Sequence, residues 1–189
     1  SKSTPSREIY IHIKARCVKS TTLNRYLNYE YNLEACRTGC PNYGLKWSCP
    51  PFSKVYDKLS EGYKYAYILI FSTSMDKYMD IKNKYLAIKA ANSTLKSEIE
   101  KISRKIEEDQ GGYALLSGSC RLCKPCNKKL GKPCKKPDKM RYSMEATYLD
   151  VSSISKELLG HELKWYTKNC LPEYTSTVCT ILVNNKLNS

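Results

Sequence analysis

The spacing of the cysteines constrains this chain more than any other feature of its sequence. Ten cysteines occur among 189 residues, against only two histidines. Seven of the ten form two groups, which are separated by about seventy residues without a cysteine. The first group is Cys36, Cys40 and Cys49, and the second is Cys120, Cys123, Cys126 and Cys134. Such clustering indicates either a disulfide framework or metal ligation, and the spacing within each group decides between them.

The second group has the spacing Cys-x2-Cys-x2-Cys-x7-Cys. Three cysteines at steps of three residues resemble the bacterial ferredoxin run, in which one loop wraps its thiolates around an iron–sulfur cube. Structural zinc sites more often use two Cys-x2-Cys pairs a dozen or more residues apart. Crowded thiolates repel one another, and a cationic core relieves that repulsion. We therefore predict a [4Fe–4S] cluster here. Zinc in the same thiols is the alternative that ligand identity leaves open, and disulfides come third.

The first group has one cysteine fewer than a closed four-ligand site requires. The fourth position could be filled by Cys17 or by a side chain other than cysteine. If neither fills it, one iron has no protein ligand. An iron without a protein ligand offers an open Lewis-acid position for substrate, by analogy with catalytic zinc. A complete ligand set would instead make this a second structural or electron-relay cluster. Both interpretations stay open at the level of the sequence.

The remaining chain alternates strand-like and helix-like patterns. Residues 64–72 contain a continuous apolar run at 65–71, which predicts a buried strand. Residues 76–110 contain no Gly or Pro, and their apolar residues recur at steps of three and four, which predicts one long helix or two helices meeting near Asn92. The pattern of residues 113–117 predicts another strand, which leads directly into Cys120. Strand, helix and strand in this order predict a βαβ unit with parallel pairing, and thus a cluster loop at the C-terminal edge of a strand.

Three further segments complete the predicted fold. Residues 9–13 alternate as a half-buried strand, a helix runs from Ser152 or Ser153 to Trp165, and residues 176–183 form a last strand. The prediction is an α/β class with a small mixed or parallel sheet, a βαβ unit, a long helix and Cys-rich cluster-binding loops. It places one domain over 1–189, the first Cys motif at 36–51, and the cluster loop with its following motif at 118–146.

Charge and hydropathy narrow the classes of function. The longest apolar stretch, 65–71, is far shorter than the roughly 18 residues of a membrane helix, and the N-terminus lacks the apolar core of a signal peptide, so we expect a cytoplasmic protein without membrane association. The net charge is +14, and nine Lys or Arg residues but one Asp lie between Arg121 and Arg141. This basic segment would attract an acidic redox carrier or an anionic small molecule, unless it is only a solvated lysine-rich surface. The oligomeric state cannot be predicted from these features.

Several motifs are absent from the sequence. The 16 tyrosines lie outside any recognisable nucleic-acid-binding motif, which disfavours RNA as a partner. There is no P-loop, no zinc-protease His-Glu-x-x-His and no Gly-x-Ser-x-Gly elbow. Eight residues separate Cys40 from Cys49, whereas radical chemistry on S-adenosylmethionine requires Cys-x3-Cys-x2-Cys. These absences leave metal chemistry as the main hypothesis.

Three motifs in the same order resemble a known family. They are Cys36-x3-Cys40-Pro41-Asn42-Tyr43-Gly44 ending at Cys49-Pro50-Pro51, the group from Gly118 to Cys134, and Tyr142-Ser143-Met144-Glu145-Ala146 followed by Asp150-Val151. Together they are similar to the cysteine-rich predicted metal-binding proteins of anaerobic bacteria and archaea, a domain of unknown function. The resemblance implies iron–sulfur or other metal binding in the cytoplasm of an anaerobe, and no established reaction. The family often has a Gly before its Asp-Val pair, whereas Thr147, Tyr148 and Leu149 precede Asp150 here.

Glu145 is the carboxylate that we single out, because it lies in the motif that follows the cluster loop. It would be an oxygen ligand to an open iron, a proton donor, or a hydrogen-bond anchor for the loop. Tyr43 and Trp47 are expected to shield the first Cys group from water. His12 and His161 lie outside the motifs and are expected to be ordinary strand or helix residues.

Three functions compete on these grounds. The first is an iron–sulfur protein, with one four-Cys [4Fe–4S] site and a second three-Cys site, that acts in electron transfer or in redox chemistry on a small ligand. The second is an enzyme of the desulfurase or reductase type, in which the three-Cys site binds and activates substrate. The third is a zinc-stabilised module that binds nucleic acid or protein. Whether the protein is an enzyme is left open by the sequence.

Overall fold

The computed structural model describes residues 2–4, 7–167 and 170–187. The strands in these ranges are β1 (Lys2–Thr4), β2 (Arg7–Ile9), β3 (His12–Lys19), β4 (Tyr65–Ser74), β5 (Tyr113–Leu115) and β6 (Tyr174–Val183). The α-helices are α1 (Tyr29–Gly39), α2 (Tyr56–Ser60), α3 (Lys84–Gln110) and α4 (Val151–Leu159). Short 3₁₀ turns cover Ser20–Tyr26, Asp76–Tyr78, Asn127–Leu130 and Glu145–Thr147. The α/β class and the long helix are confirmed.

The main sheet has the strand order β3-β4-β6-β5, and all three neighbouring pairs are antiparallel. The predicted direct parallel pairing of the strands that flank the long helix is therefore wrong. β4 and β5 do run in the same direction, but β6 lies between them. The physical reason is the length of the available ladder: β6 pairs with β4 over ten residues, from Tyr65↔Val183 to Ser74↔Tyr174, whereas β5 has only three residues to offer. β1 and β2 form a separate two-stranded sheet.

Both faces of β4 are buried. Successive side chains of a strand point to opposite sides of the sheet, and each side of β4 packs in its own cluster. Leu69 and Phe71 pack in the cluster that contains Leu95 and Ile99 of α3. Ile68 and Ile70 pack on the other side, in the cluster that contains Ile154 of α4. The sheet is thus a middle layer between α3 and a second layer built from α4, the 3₁₀ turn Ser20–Tyr26 and the loops.

The long helix is one continuous element that starts later than predicted. Asn83 caps it, since its Oδ1 accepts a hydrogen bond from the backbone N–H of Leu86 at 3.1 Å. The preceding residues form the separate 3₁₀ turn Asp76–Tyr78 instead of a first helical turn. Within the predicted apolar stripe, Tyr85 and Ile102 are exposed, whereas smaller residues outside the stripe, such as Ala91, are buried.

The fourth helix is shorter than predicted, because it ends at Leu159 and Gly160 adopts a left-handed conformation there. Asp150 caps its start by accepting a hydrogen bond from the N–H of Ser153 at 3.1 Å. β6 begins at Tyr174, two residues before the predicted start. No helix within the described ranges is long and apolar enough to cross a membrane.

The sheet also fixes the base of the second Cys motif. The backbone N–H of Leu116, just after β5, donates to the carbonyl of Tyr142 at 2.8 Å, and Leu116 forms a parallel bridge with Ser143. The Cys-rich segment is therefore a long excursion whose two ends are joined at the sheet. The residues that follow it, including Glu145, are placed by the same contact.

His161 provides a pH-dependent contribution to stability. Its Nε2 lies 2.8 Å from the hydroxyl of Ser176, and burial, followed by the charge of Lys14, lowers the pKa of its imidazole below the ordinary 6.5. Below pH 6.5 the unfolded chain therefore takes up a proton that the folded chain resists, and stability falls as the pH falls. We expect the urea midpoint of the wild type to drop more between pH 7.5 and 5.5 than that of His161→Gln. Equal drops would contradict this assignment.

Candidate metal centre

The first Cys motif is built on the end of α1. The side chain of Asn28 caps the start of this helix, Cys36 lies in its last turn, and Cys40 is its C-terminal cap. The chain then folds back, because Gly44 has φ +67° and its N–H donates to the carbonyl of Pro50 at 2.9 Å. This turn returns Cys49 towards the helix end. All three cysteines line one cavity of about 200 Å³, together with Glu145.

The three thiols of this cavity interact electrostatically. Burial, followed by the negative charges of Cys40, Cys49 and Glu145, raises the pKa of Cys36 to about 11. Burial also raises the pKa of Cys49. Acidic groups crowded in this way keep their protons unless a cation neutralises them, and a bound metal supplies that positive charge.

Glu145 reaches the cavity from the 3₁₀ turn Glu145–Thr147. This turn is tied to the start of α1, since the N–H of Asn28 donates to the carbonyl of Tyr148 at 2.9 Å. The Nδ2 group of Asn32 donates to the same carbonyl at 3.3 Å. The helix that carries Cys36 and the turn that carries Glu145 are therefore held as one unit.

Tyr148, which follows Glu145 by three residues, has an unusual backbone conformation. It is the only residue other than glycine with a positive φ, +68°, in the described part of the chain. Its ring is buried and stacks on the ring of Tyr29 at a centroid distance of 4.3 Å. A left-handed tyrosine costs roughly 1–2 kcal/mol, which the ring packing offsets. Here stacking on α1, in addition to backbone hydrogen bonds, anchors the turn that presents Glu145.

Lys96 is a cavity residue that the sequence analysis missed. It lies on α3 next to Leu95, whose side chain is fully buried, and its own side chain is half-buried. It lines the three-thiol cavity beside Gly118, and a Cβ at position 118 would come within 3.1 Å of its Nζ. Its position next to the apolar stripe was the only available signal, and that signal does not identify the cavity.

The four cysteines of the second motif also line one cavity, which is much smaller at about 20 Å³. Cys126 precedes the 3₁₀ turn Asn127–Leu130, and Asn127 Nδ2 donates to the carbonyl of Pro133 at 2.8 Å. This hydrogen bond closes the seven-residue gap before Cys134. The Oδ1 atom of Asn127 is buried without a hydrogen-bond partner. A buried polar atom of this kind at a thiol-lined cavity is typical of a site that holds a polar or metallic group.

Trp47 shields the second cavity and not the first, which corrects the prediction for this residue. Its ring lines the four-thiol cavity, and its Nε1 donates to the carbonyl of Lys132 at 3.0 Å. The ammonium of Lys128 lies 4.7 Å from the centre of the same ring. Tyr43 does line the first cavity, as predicted. One residue of the first motif thus covers the second.

The two cavities are neighbours that share polar contacts. The hydroxyl of Ser48 accepts a hydrogen bond from the N–H of Cys120 at 3.1 Å. Lys46 donates to the hydroxyl of Ser119 and to the carbonyl of Cys120, both at 2.9 Å. The first motif therefore positions the start of the second one, so the two thiol groups form a single centre with two compartments.

The remaining three cysteines lie outside both cavities. Cys17 is on the edge strand β3, where its side chain interacts with the hydroxyl of Tyr67. Cys170 is exposed in the loop before β6, and Cys179 is buried in β6 beside Ser103. All ten cysteines are free thiols. Of the options that the sequence left open for a fourth ligand, Glu145 lines the three-thiol cavity and Cys17 does not.

The donor set suits a cluster. Seven free thiols line two adjoining cavities, the thiols around Cys36 are electrostatically crowded, and a buried polar atom beside the second cavity has no partner. Within the described ranges, no three His, Cys, Asp or Glu side chains come close enough together to hold a metal ion.

A protein-family model described as "Predicted metal-binding protein (DUF2284)" matches residues 28–183. The match covers both Cys motifs, Lys96 and the segment around Glu145. No curated protein and no solved structure shows significant similarity to the chain.

Proposed function

Because the chain belongs to this family of predicted metal-binding proteins, we propose that it is an iron–sulfur protein that carries out redox chemistry on a small ligand. In this proposal Cys120, Cys123, Cys126 and Cys134 hold a closed [4Fe–4S] cluster. The first motif, 36–51, holds a second cluster through its three thiols, and one iron of that cluster has no cysteine ligand. The observation that carries the proposal is the pair of adjoining compartments, one small with four thiols and one roomy with three thiols and a carboxylate.

The spacing of the cysteines along the chain favours a cluster over zinc. Four thiolates bound to one zinc at about 2.3 Å lie about 3.8 Å apart. In an iron–sulfur cube each thiolate binds a different iron, so the sulfurs are more widely separated. Four free thiols line one cavity, and their spacing along the chain is the feature that separates the two possibilities. The spacing of three cysteines at steps of three residues supports the same choice.

The three-thiol compartment is proposed as the reactive one. A bound cluster with an open iron supplies a Lewis acid and an electron source. Glu145 lines this compartment, and its carboxylate makes no hydrogen bond or ion pair with another described residue. Its carboxylate is free to ligate iron or to hold a proton beside a bound ligand. Tyr43 and Pro50, which belong to the first motif, also line this compartment and limit the access of water to it.

The four-thiol compartment is proposed to deliver electrons. A [4Fe–4S] core of charge about +2 bound by four thiolates carries a net charge of about −2, and Lys135 and Lys136 line its cavity. These cations stabilise the reduced cluster and make the surrounding surface attractive to an acidic electron carrier. The hydrogen bonds of Ser48 and Lys46 with the start of the second motif support this assignment, because they join the two compartments.

The decisive experiment is anaerobic purification followed by iron, sulfide and zinc quantitation and EPR of the reduced protein. We expect a brown protein with about eight irons and about eight sulfides per chain, and reduced-cluster signals from two centres. A colourless protein with stoichiometric zinc would overturn the proposal and favour a zinc-stabilised binding module. Four irons per chain, and a single EPR centre, would refute the second cluster.

A further inference from the structure

One wall of the three-thiol cavity carries a positively charged side chain without a direct partner among the described residues. The side chain of Lys96 is half-buried, and its ammonium makes no hydrogen bond or ion pair with any residue in the described part of the chain. Glu145 lines the same cavity but does not pair with it. Lys46, by contrast, has two oxygen acceptors at 2.9 Å. An unpaired ammonium at a cavity wall can form a charge-assisted hydrogen bond with the anionic group of a ligand.

The cavity is also the larger of the two. Its volume is about 200 Å³, against about 20 Å³ for the four-thiol cavity. One water molecule needs about 10–15 Å³ by this measure. Gly118 adds to the space beside the ammonium, because a side chain there would begin 3.1 Å from Nζ. Its polar wall includes the hydroxyls of Ser117, Ser119 and Ser143, which hydrogen-bond oxygen atoms.

We infer that this cavity binds a small organic anion, whose carboxylate or similar oxyanion group pairs with Lys96 while its other end meets the open iron. This inference rests on the proposed function, which supplies that iron. The carboxylate of Glu145 repels a like charge, so it directs the anionic group towards Lys96. Lys96 is a binding residue in this assignment, and it selects ligands by charge.

Two small thiols test the inference on the iron-loaded protein. Mercaptoacetate and 2-mercaptoethanol each offer one thiol to the iron, but only mercaptoacetate carries a carboxylate. Anaerobic titrations followed by the visible absorption and EPR of the clusters give a dissociation constant for each. The preference for mercaptoacetate is the dissociation constant of 2-mercaptoethanol divided by that of mercaptoacetate. The preference of the wild type, divided by that of Lys96→Met, isolates the contribution of the ammonium. We expect this ratio to be about tenfold or more, as for a charge-assisted hydrogen bond.

Two further variants serve as controls. Lys101→Met removes an exposed lysine from the same helix and should keep the wild-type preference. Lys96→Arg keeps the positive charge and should retain most of the wild-type preference. This variant keeps the test decisive if Lys96→Met loads iron poorly. Equal preferences in the wild type, Lys96→Met and Lys96→Arg would overturn the inference and leave the proposed function intact. If neither thiol perturbs either cluster, the open iron itself is refuted, and the proposed function fails together with the inference.

Discussion

Replacing Cys123 by serine is expected to remove about half of the iron from the protein, from about eight to about four per chain. Cys123 lines the four-thiol cavity with three other cysteines, and serine is a poor ligand for iron in such a cluster. The EPR signal of the three-thiol centre should persist, because its thiols come from a separate motif. Iron and sulfide quantitation together with EPR, on anaerobically purified protein, measures both effects.

Cys170→Ser is the matched control for this substitution. Cys170 is an exposed free thiol in the loop before β6 and lines neither cavity. The variant should keep all of its iron and both EPR signals. Cys17→Ser should do the same, since Cys17 interacts with Tyr67 on the sheet and lines neither cavity. If Cys123→Ser retained the full iron content, the four-thiol cluster would be refuted. Iron loss in Cys17→Ser would make Cys17 a ligand.

Replacing Arg141 by alanine is expected to destabilise the fold by about 3–5 kcal/mol. Arg141 pairs with Glu107 on α3, and the two side chains are only 15% and 9% exposed. Its guanidinium also donates to the carbonyls of Asp138 and Met140, at 2.7 and 2.8 Å, and lies over the ring of Tyr113. Alanine would leave the carboxylate of Glu107 buried without its partner, and it would release the segment that follows the cluster loop.

Urea denaturation under anaerobic conditions measures this loss. Lys105→Ala is the matched control, because Lys105 pairs with Asp109 on the same helix while the two side chains are 70% and 47% exposed. An exposed pair of this kind contributes at most about 1 kcal/mol, so the control should stay close to the wild type. A similar, small effect in both variants would show that Arg141 does not anchor the loop.

The sequence predicted the local elements of this fold well and their pairing poorly. The apolar run of β4 and the stripe on α3 are local patterns, because burial imposes a period of two or 3.6 residues on the segment itself. The insertion of β6 between β4 and β5 is not visible in any local pattern. It depends on which strands gain the longest ladder, and the partner of β4 lies about a hundred residues away in the chain. The start of α3 was predicted too early, because that prediction relied on the absence of Gly and Pro from residues 76–110. In the structure Asn83 caps the helix, which begins at Lys84.

The candidate centre shows the same division. The Cys motifs indicate thiol ligands because their spacing is short enough for one loop to surround a metal. Glu145 was singled out from its motif, and the structure places it with the first cysteines, not with the cluster loop that precedes it in the chain. Trp47 was assigned to the wrong cavity for the same reason, since its neighbours in sequence are not its neighbours in space. The signal that Lys96 gave did not point to the cavity, because a lysine on a helix is ordinarily solvated.

The amino-acid sequence by itself determined the chemistry: which side chains are available, that seven thiols come in two groups, and that the chain around them folds as alternating strands and helices. Only the tertiary structure decided how these groups are combined. It brought the two motifs together through Ser48 and Lys46, placed the ammonium of Lys96 among the thiols, and made one cavity small and the other large. The physical reason is range. Residue type and periodicity act over a few residues, whereas the shape and charge of a cavity are set by segments that packing brings together from distant parts of the chain.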